Sequence, residues 1–506
     1  MAKYKKYSYS QTMLLPVSLQ EQLMPGTLEF AVHTLVESRM DMSRFDVRFA
    51  NDETGRSAYD PKILLKAVLL AYSRGILTSR KIEQACRENV VFMAMTCGQR
   101  PDHSTIAAFV SKMKEEIQPL FRDVLLICHE MNLLGGTEFA LDGCKLPSNA
   151  SKEWSGTKDD LRRKKEKLEG RVQELLDEQI KADIQEKQQI ESDKSRQTRQ
   201  IEKLQRQAER IGKWLQENQS RIGRQGKEIK SNITDNESAK MTTSHGVVQG
   251  YNGQALVDSK RQVIVQAEVF GNGQDHYHVP PLIDGARENM QAIGQAEDYF
   301  EGAVFTADTN YHSDTNIRKC HQEKLDAYIP DRFFRKRDPR FATQERHRSV
   351  ADKQFRHEDF QYNEAEDCYI CPQGEVLSAK KTEIAENGNL YKTYVGDEGY
   401  CGGCVVRRLC LQRSCARKKW MRVLLKTFRK SPSQEMAEKI DTPRGRRLYP
   451  HRIAIVEPVF ANLRTQKRLD RFTLRGKIKV NIQWLLYCMV HNIEKIARYG
   501  CSVASG

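Results

Sequence analysis

Three carboxylates sit where metal chemistry could be done. Asp142 closes the apolar run Phe139-Ala140-Leu141, and Asp308 follows Val304-Phe305-Thr306-Ala307. An aspartate at the end of a central strand has a fixed backbone, and the following turn exposes its side chain. Two such carboxylates on neighbouring strands can share one Mg2+ and, with a third acid, hold a second about 3.5–4 Å away. That pair activates a water or a 3′-hydroxyl and stabilises the leaving oxygen of a phosphodiester. Hard carboxylate oxygens suit Mg2+. Glu457 offers the third acid, because Ile453, Val456 and Phe460 set it on a helix. Each acid also has a plainer reading: a turn residue after a strand, or an exposed helix glutamate.

The cysteines form a second constellation. Six of the 13 fall between 368 and 415, as Cys368-x2-Cys371, Cys401-x2-Cys404, Cys410 and Cys415. Two CxxC pairs can supply a tetrahedral zinc site, although these are further apart than in a short zinc ribbon. The competing reading is reduced thiols in a small, loop-rich insert. Cys410 and Cys415 are either alternative ligands or bystanders.

The elements that must carry these groups follow from periodicity. Leu64, Leu65, Val68, Leu69 and Tyr72 recur at helical spacing. Thr78-Ser79 can cap a second helix through Ile82, Ala85 and Cys86, and Ser104 a third with Ile106, Phe109 and Met113. Three short helices with basic outer faces suit a DNA-binding module, or equally an ordinary helical subdomain. From Thr137 the period changes to that of a strand ending on Asp142-Gly143. Residues 250–256 and 262–270 read as a hairpin, 303–306 as a fourth strand and 325–329 as a fifth. An α/β fold results, a mixed sheet with helices packed on it. Between the first two strands, Leu161, Leu168, Val172 and Leu175 mark one heptad seam. A second runs through Ile201, Leu204, Ala208, Ile211, Leu215, Ile222 and Ile229. Residues 191–200 are either the turn of an antiparallel hairpin or a looser stretch. Near the C-terminus, Trp484, Leu485, Cys488, Met489 and Ile493 define another amphipathic helix.

The formal net charge of +15 points to a polyanionic partner. The region 417–447 is intensely basic, suited to neutralising phosphates. The longest apolar stretch, Leu64 to Tyr72, is interrupted by Lys66 and is too short to span about 30 Å of hydrocarbon. No apolar h-region follows the charged first residues, so no secretory signal is expected. A cytoplasmic protein with reduced or metal-bound thiols is expected, nucleoid-associated through its DNA.

Several segments, in order, resemble the transposases of bacterial insertion sequences. YDPKILLKAVLLAYSRGILTSRKIEQACRENVVFMAMTCGQRPDHSTIAAF is similar to their N-terminal helical domain, and LDGCKLPSNASKEWS to the first catalytic strand and its turn. NESAKM with HGVVQGYNGQALVDSKRQVIVQAEV is similar to the next strands, with Glu237 where aspartate is usual. ADTNYHS and GRRLYPHRIAIVEPVFANLRTQKRLDRFTLRGKIKVNIQWLLYCMVHNIEKI complete the series.

The resemblance implies a ribonuclease H-like core whose DDE triad is Asp142, Asp308 and Glu457, using Mg2+ or Mn2+. It implies metal-dependent cleavage at transposon ends, then attack of the freed 3′-hydroxyl on target DNA. Tyr449, Arg452 and Glu457 resemble the family's Tyr-Arg-Glu-Lys signature, with one extra residue before Glu457 and Arg464 where lysine is expected. Tyr449, Arg452 and Arg464 would contact DNA, arginine gripping phosphate bidentately. Bringing two ends together implies at least a homodimer on double-stranded DNA. The implied organisation is a leader (1–58), a helical DNA-binding domain (59–130) and a core in pieces (131–156, 236–330). A coiled-coil insertion (157–235), a cysteine-rich insert (331–440) and a closing segment with Glu457 (441–506) complete it. The alternatives are an inactive or regulatory DNA-binding derivative of a transposase, a nuclease that cuts without joining, and a structural coiled-coil protein. The last leaves most of the chain unexplained.

Overall fold

The computed structural model describes residues 18–48, 57–184, 191–223, 226–244, 246–341, 355, 357–384, 390–410, 423–427 and 430–500. Cys415 and the RKKW run at 417–420 lie outside them. These residues fall into two compact units. One contains the chain through 275, 280–305 and 452 onward; the other contains 276–279 and 306–451.

The first unit opens with six helices: α1 (Leu28–Ser38), α2 (Pro61–Ser73), α3 (Ser79–Glu88), α4 (Val90–Met95), α5 (His103–Ser111) and α6 (Ile117–Glu130). Their starts follow capping chemistry. Asp60 accepts from the Lys62 amide with Pro61 in the first turn, and Thr78 accepts from the Lys81 amide. The cap of α5 is Asp102, accepting from the Thr105 amide, rather than Ser104, whose hydroxyl donates to the same carboxylate. α2 is buried almost all round, including Lys66, whose ammonium reaches Glu37 of α1 at 2.7 Å. Thus α1, inside the segment read as a leader, packs on α2.

Strand β1 (Glu138–Pro147) follows, with the short β2 (Ser155–Gly156) and β3 (Ser231–Asn232) pairing further on. β4 (Ala239–Thr243), β5 (Gly246–Asp258) and β6 (Ile264–Phe270) are antiparallel. β5 pairs β1 on one edge from Gly250 to Asp258, and on the other edge meets β4 and then β6. α9 (Val279–Ala292) leads to β7 (Val304–Ala307), where the Val304 amide donates to Thr137 O at 2.9 Å.

Between β2 and β3, α7 (Lys158–Ile184) and α8 (Glu191–Glu217) pack in reverse register. Leu161 meets Ile211 and Trp214, while Val172 and Leu175 meet Ile201. The seam read from heptads is present in these helices, and 191–200 lies within α8 rather than in a turn. Ile222 and Ile229 fall beyond α8 and are exposed, around an isolated bridge from Ile222 to Glu228.

The closing helix α16 (Lys477–Tyr499) unites helices and sheet, touching α1, α2, α5, α6 and β6. Tyr487 stacks on Tyr72 with ring centroids 4.5 Å apart. His491, 1% exposed, faces the Gln262 carbonyl with its Nε2 at 2.8 Å, so Nε2–H is the donor. Burial first, then Lys495, holds His491 down to about 3. The unfolded chain takes up this proton near pH 6.5 and the folded chain does not. Stability is therefore present above about pH 6.5 and falls as pH drops toward 3. His491→Asn should flatten that part of a Tm-against-pH curve; an unchanged slope would reject the assignment.

In the second unit β7 is followed by α10 (Asp314–Gln322) and β8 (Asp326–Tyr328), which neighbours β7. α11 (Phe334–Arg337) precedes a separate antiparallel sheet of β9 (Gln361–Asn363), β10 (Cys368–Ile370), β11 (Val376–Ile384), β12 (Leu390–Gly396) and β13 (Val423–Thr427). α12 (Glu398–Gly403) and α13 (Arg407–Cys410) lie between β12 and β13 in sequence. α14 (Pro432–Asp441) and α15 (Pro443–Ala461) then return the chain to the first unit. No described helix is long and apolar enough to cross a membrane.

Candidate active site

Asp142 lies in the middle of β1, not at its end, because β1 runs on to Pro147 in register with β5. Its Oδ1 accepts the Gly143 amide at 2.8 Å, and its Oδ2 accepts Nη1 of Arg452 on α15 at 2.8 Å. Burial raises the carboxyl's affinity for its proton. Arg452 and the Gly143 amide oppose that rise, and Asp275 adds to it. Burial wins, leaving Asp142 above the ordinary aspartate value.

Asp275 belongs to a buried network that sequence patterns did not reveal. Its Oδ1 accepts Nδ2 of Asn252 at 2.7 Å and Nε2 of Gln254 at 2.9 Å. Gln254 faces Gly143 across the β1–β5 ladder, and its backbone carbonyl accepts the Trp484 indole N–H at 2.9 Å. A Cβ at position 143 would lie 2.0 Å from Gln254 Nε2. Gly143→Ala should therefore displace the amide and disturb Asp142. A fall in DNA cleavage of roughly a hundredfold in a folded protein is expected; activity within a factor of two would show that the network does not position Asp142.

Glu457 lies on the same helix as Arg452, exposed, while Ile455, Val456, Val459 and Phe460 are buried. Arg464 is exposed within the π-turn Asn462–Gln466 that continues α15. It lies near enough to Cys144, two residues beyond Asp142, to lower that thiol's otherwise raised proton affinity. In the second unit Asp308 caps the short turn Thr309–Tyr311, accepting the Asn310 amide at 2.8 Å. Tyr449 packs edge-on against Phe334 at 5.3 Å. The structure thus joins Arg452 to Asp142 directly. Among the described residues, no group of three or more His, Cys, Asp or Glu side chains is already disposed to hold a metal ion.

Two family models match the chain. A transposase domain (DUF772) covers residues 17–112, and a transposase DDE domain covers 370–497. The first spans α1 to α5, and the second includes Cys371 to Cys410, Arg452 and Glu457. Both are models of transposase domains, one at each end of the chain, and together they support a DDE-type insertion-sequence transposase. No curated protein matches. A cryo-EM structure of the piggyBac transposase synaptic complex with hairpin DNA aligns at 10% identity over 95% of this chain and 76% of that one. Its TM-score is 0.30, and nothing about the fold or the site rests on it. The α/β sheet and helical N-terminus are compatible with the ribonuclease H-like core that a DDE domain suggests.

Proposed function

We propose that this transposase cleaves DNA at the ends of an insertion sequence and joins those ends to target DNA, with Asp142, Asp308 and Glu457 as its catalytic acids. The supporting observation is the Asp142 carboxylate: desolvated, fixed on a central strand, and balanced by one guanidinium while buried Asp275 stands near. An oxygen-donor site with excess negative charge fits a hard divalent cation. Asp142, Asp308 and Glu457 would hold Mg2+ or Mn2+, which supplies a more acidic water and neutralises charge on the phosphodiester.

The chain's own residues position and neutralise. Arg452 fixes the Asp142 carboxylate before DNA arrives, and on DNA binding can turn a guanidinium N–H toward a phosphate. Arg464 and Tyr449 contact the flanking DNA. The basic surface, net +15, holds the duplex through its phosphates with steep salt dependence. A homodimer holds both ends, and the α7–α8 arm, as a coiled coil, offers its contacts.

Incubation of a labelled duplex bearing the element's terminal repeat with a target plasmid, in Mg2+ or Mn2+, tests this. Nicks at the repeat boundary and end–plasmid joints are expected. Nicks without joints would indicate a cutting-only nuclease. Binding without nicks would indicate a DNA-binding derivative.

A further inference from the structure

The sheet β9–β13 is built on a small core. Five buried side chains, Phe360, Tyr369, Leu377, Tyr394 and Leu424, make it up, with Cys371 and Cys410 among the half-buried residues at its margin. So few apolar groups rarely hold a sheet with long loops, and small folds of this kind commonly need a staple.

Beside that core lies a cavity of about 50 Å3 whose wall includes Cys371, Cys401, Cys404 and Cys410. The volume admits an ion and a little water but no nucleotide. All four thiols are half-exposed and none is in a disulfide. Three local structures deliver them. Cys371 opens the β10–β11 turn, closed by the Gly374 amide on Cys371 O and the Cys371 amide on Glu375 O, each at 2.8 Å. Gly374 takes φ +85°, which favours glycine. In that turn the amides of Gln373 and Glu375 both donate to Cys371 Sγ at 3.3 Å. Backbone N–H groups aimed at one sulfur are the outer contacts that a metal-bound sulfur commonly accepts. Cys401 and Cys404 lie on and just after α12, whose start Asp397 caps. Arg407 lines the same cavity and ties α13 to α12 by donating to Gly402 O at 2.9 Å, and Cys410 ends α13.

Cys368 stands apart. It is buried on β10 opposite Asn363, its thiol donates to Glu366 at 3.8 Å, and it is not in the cavity wall.

We infer that Cys371, Cys401, Cys404 and Cys410 bind one Zn2+ as four thiolates, stapling the β10–β11 turn to α12 and α13. Four thiols release four protons, and the resulting dianionic centre lies beside the Arg407 guanidinium. The described side chains do not yet converge on a metal position, so the thiols close onto the ion by side-chain rotation. A tetrahedral all-sulfur set selects zinc or an iron–sulfur cluster, and the small cavity favours the single ion.

The full chain, purified under reducing conditions and free of added metal, is assayed for zinc and iron by mass spectrometry. One zinc per chain is expected. Cys404→Ser should lose most of it, while Cys368→Ser and Cys415→Ser should keep it. Cobalt reconstitution of the wild type gives a second readout should Cys404→Ser fail to fold: intense thiolate-to-cobalt charge transfer with tetrahedral bands is expected. Wild type lacking zinc, iron in its place, zinc retained by folded Cys404→Ser, or equal loss in Cys368→Ser would each overturn the inference. None of these readouts depends on DNA cleavage.

Discussion

Trp484→Ala should cost about 3–5 kcal/mol of stability, the usual penalty for deleting a fully buried large aromatic. Trp484 is 0% exposed, and its ring lies against Gly253, where an added Cβ would stand 3.2–3.3 Å away. It also neighbours Phe460 of α15 and Phe472. The indole N–H binds the Gln254 carbonyl, so the substitution also leaves an acceptor unsatisfied in the strand opposite Asp142. Chemical denaturation should show the midpoint shift, and Trp484→Phe should recover part of it. A loss below about 1 kcal/mol would mean that α16 does not clamp the sheet as described.

Arg452→Ala should give the second large effect, with a pH signature. Breaking this pair strands a desolvated carboxylate, at about 3 kcal/mol, the low end for buried pairs because Asp142 keeps a quarter of its side-chain exposure. Asp142 already sits above its unfolded value because of burial, and Arg452 is the main influence holding it down. A raised folded value contributes stability below the unfolded value and loses it as pH rises through the folded one. Removing Arg452 lifts the folded value further. The deficit against wild type should therefore be largest at neutral pH and shrink on acidification. The acid limb of DNA cleavage should move to higher pH in the same variant, with Arg452→Lys in between. A pH-independent deficit would place the effect in packing instead.

Much of this architecture was legible because local periodicity and capping decide it. The β5–β6 hairpin, α2, α3 and the α7–α8 seam follow from alternation, Thr78 and heptads. The errors came where long-range pairing decides. Asp142 reads as a strand end because Gly143 follows it, but the β5 ladder carries β1 on to Pro147. Ile222 and Ile229 keep heptad spacing after the helix has stopped. Ser104 reads as a cap because a hydroxyl precedes an apolar run, yet Asp102 receives the amide. The network of Asn252, Gln254 and Asp275 depends on strand register, which no local pattern reports. Arg452 reaches Asp142 across 310 positions of sequence, and only a family signature drew attention to it. The cysteine spacing offers Cys368 and Cys371 as a pair, whereas only Cys371 lines the cavity shared with Cys401, Cys404 and Cys410, a grouping that no local spacing reports.

The most direct test of the catalytic reading compares cleavage of the labelled terminal-repeat duplex by wild type, Asp142→Ala, Asp308→Ala and Glu457→Ala, with DNA binding measured in parallel. Each variant should bind the repeat, and each should lose at least about a thousandfold in nicking. A Glu457→Ala protein that still cuts would move the third acid elsewhere. Cutting by Asp142→Ala would contradict the account at its centre.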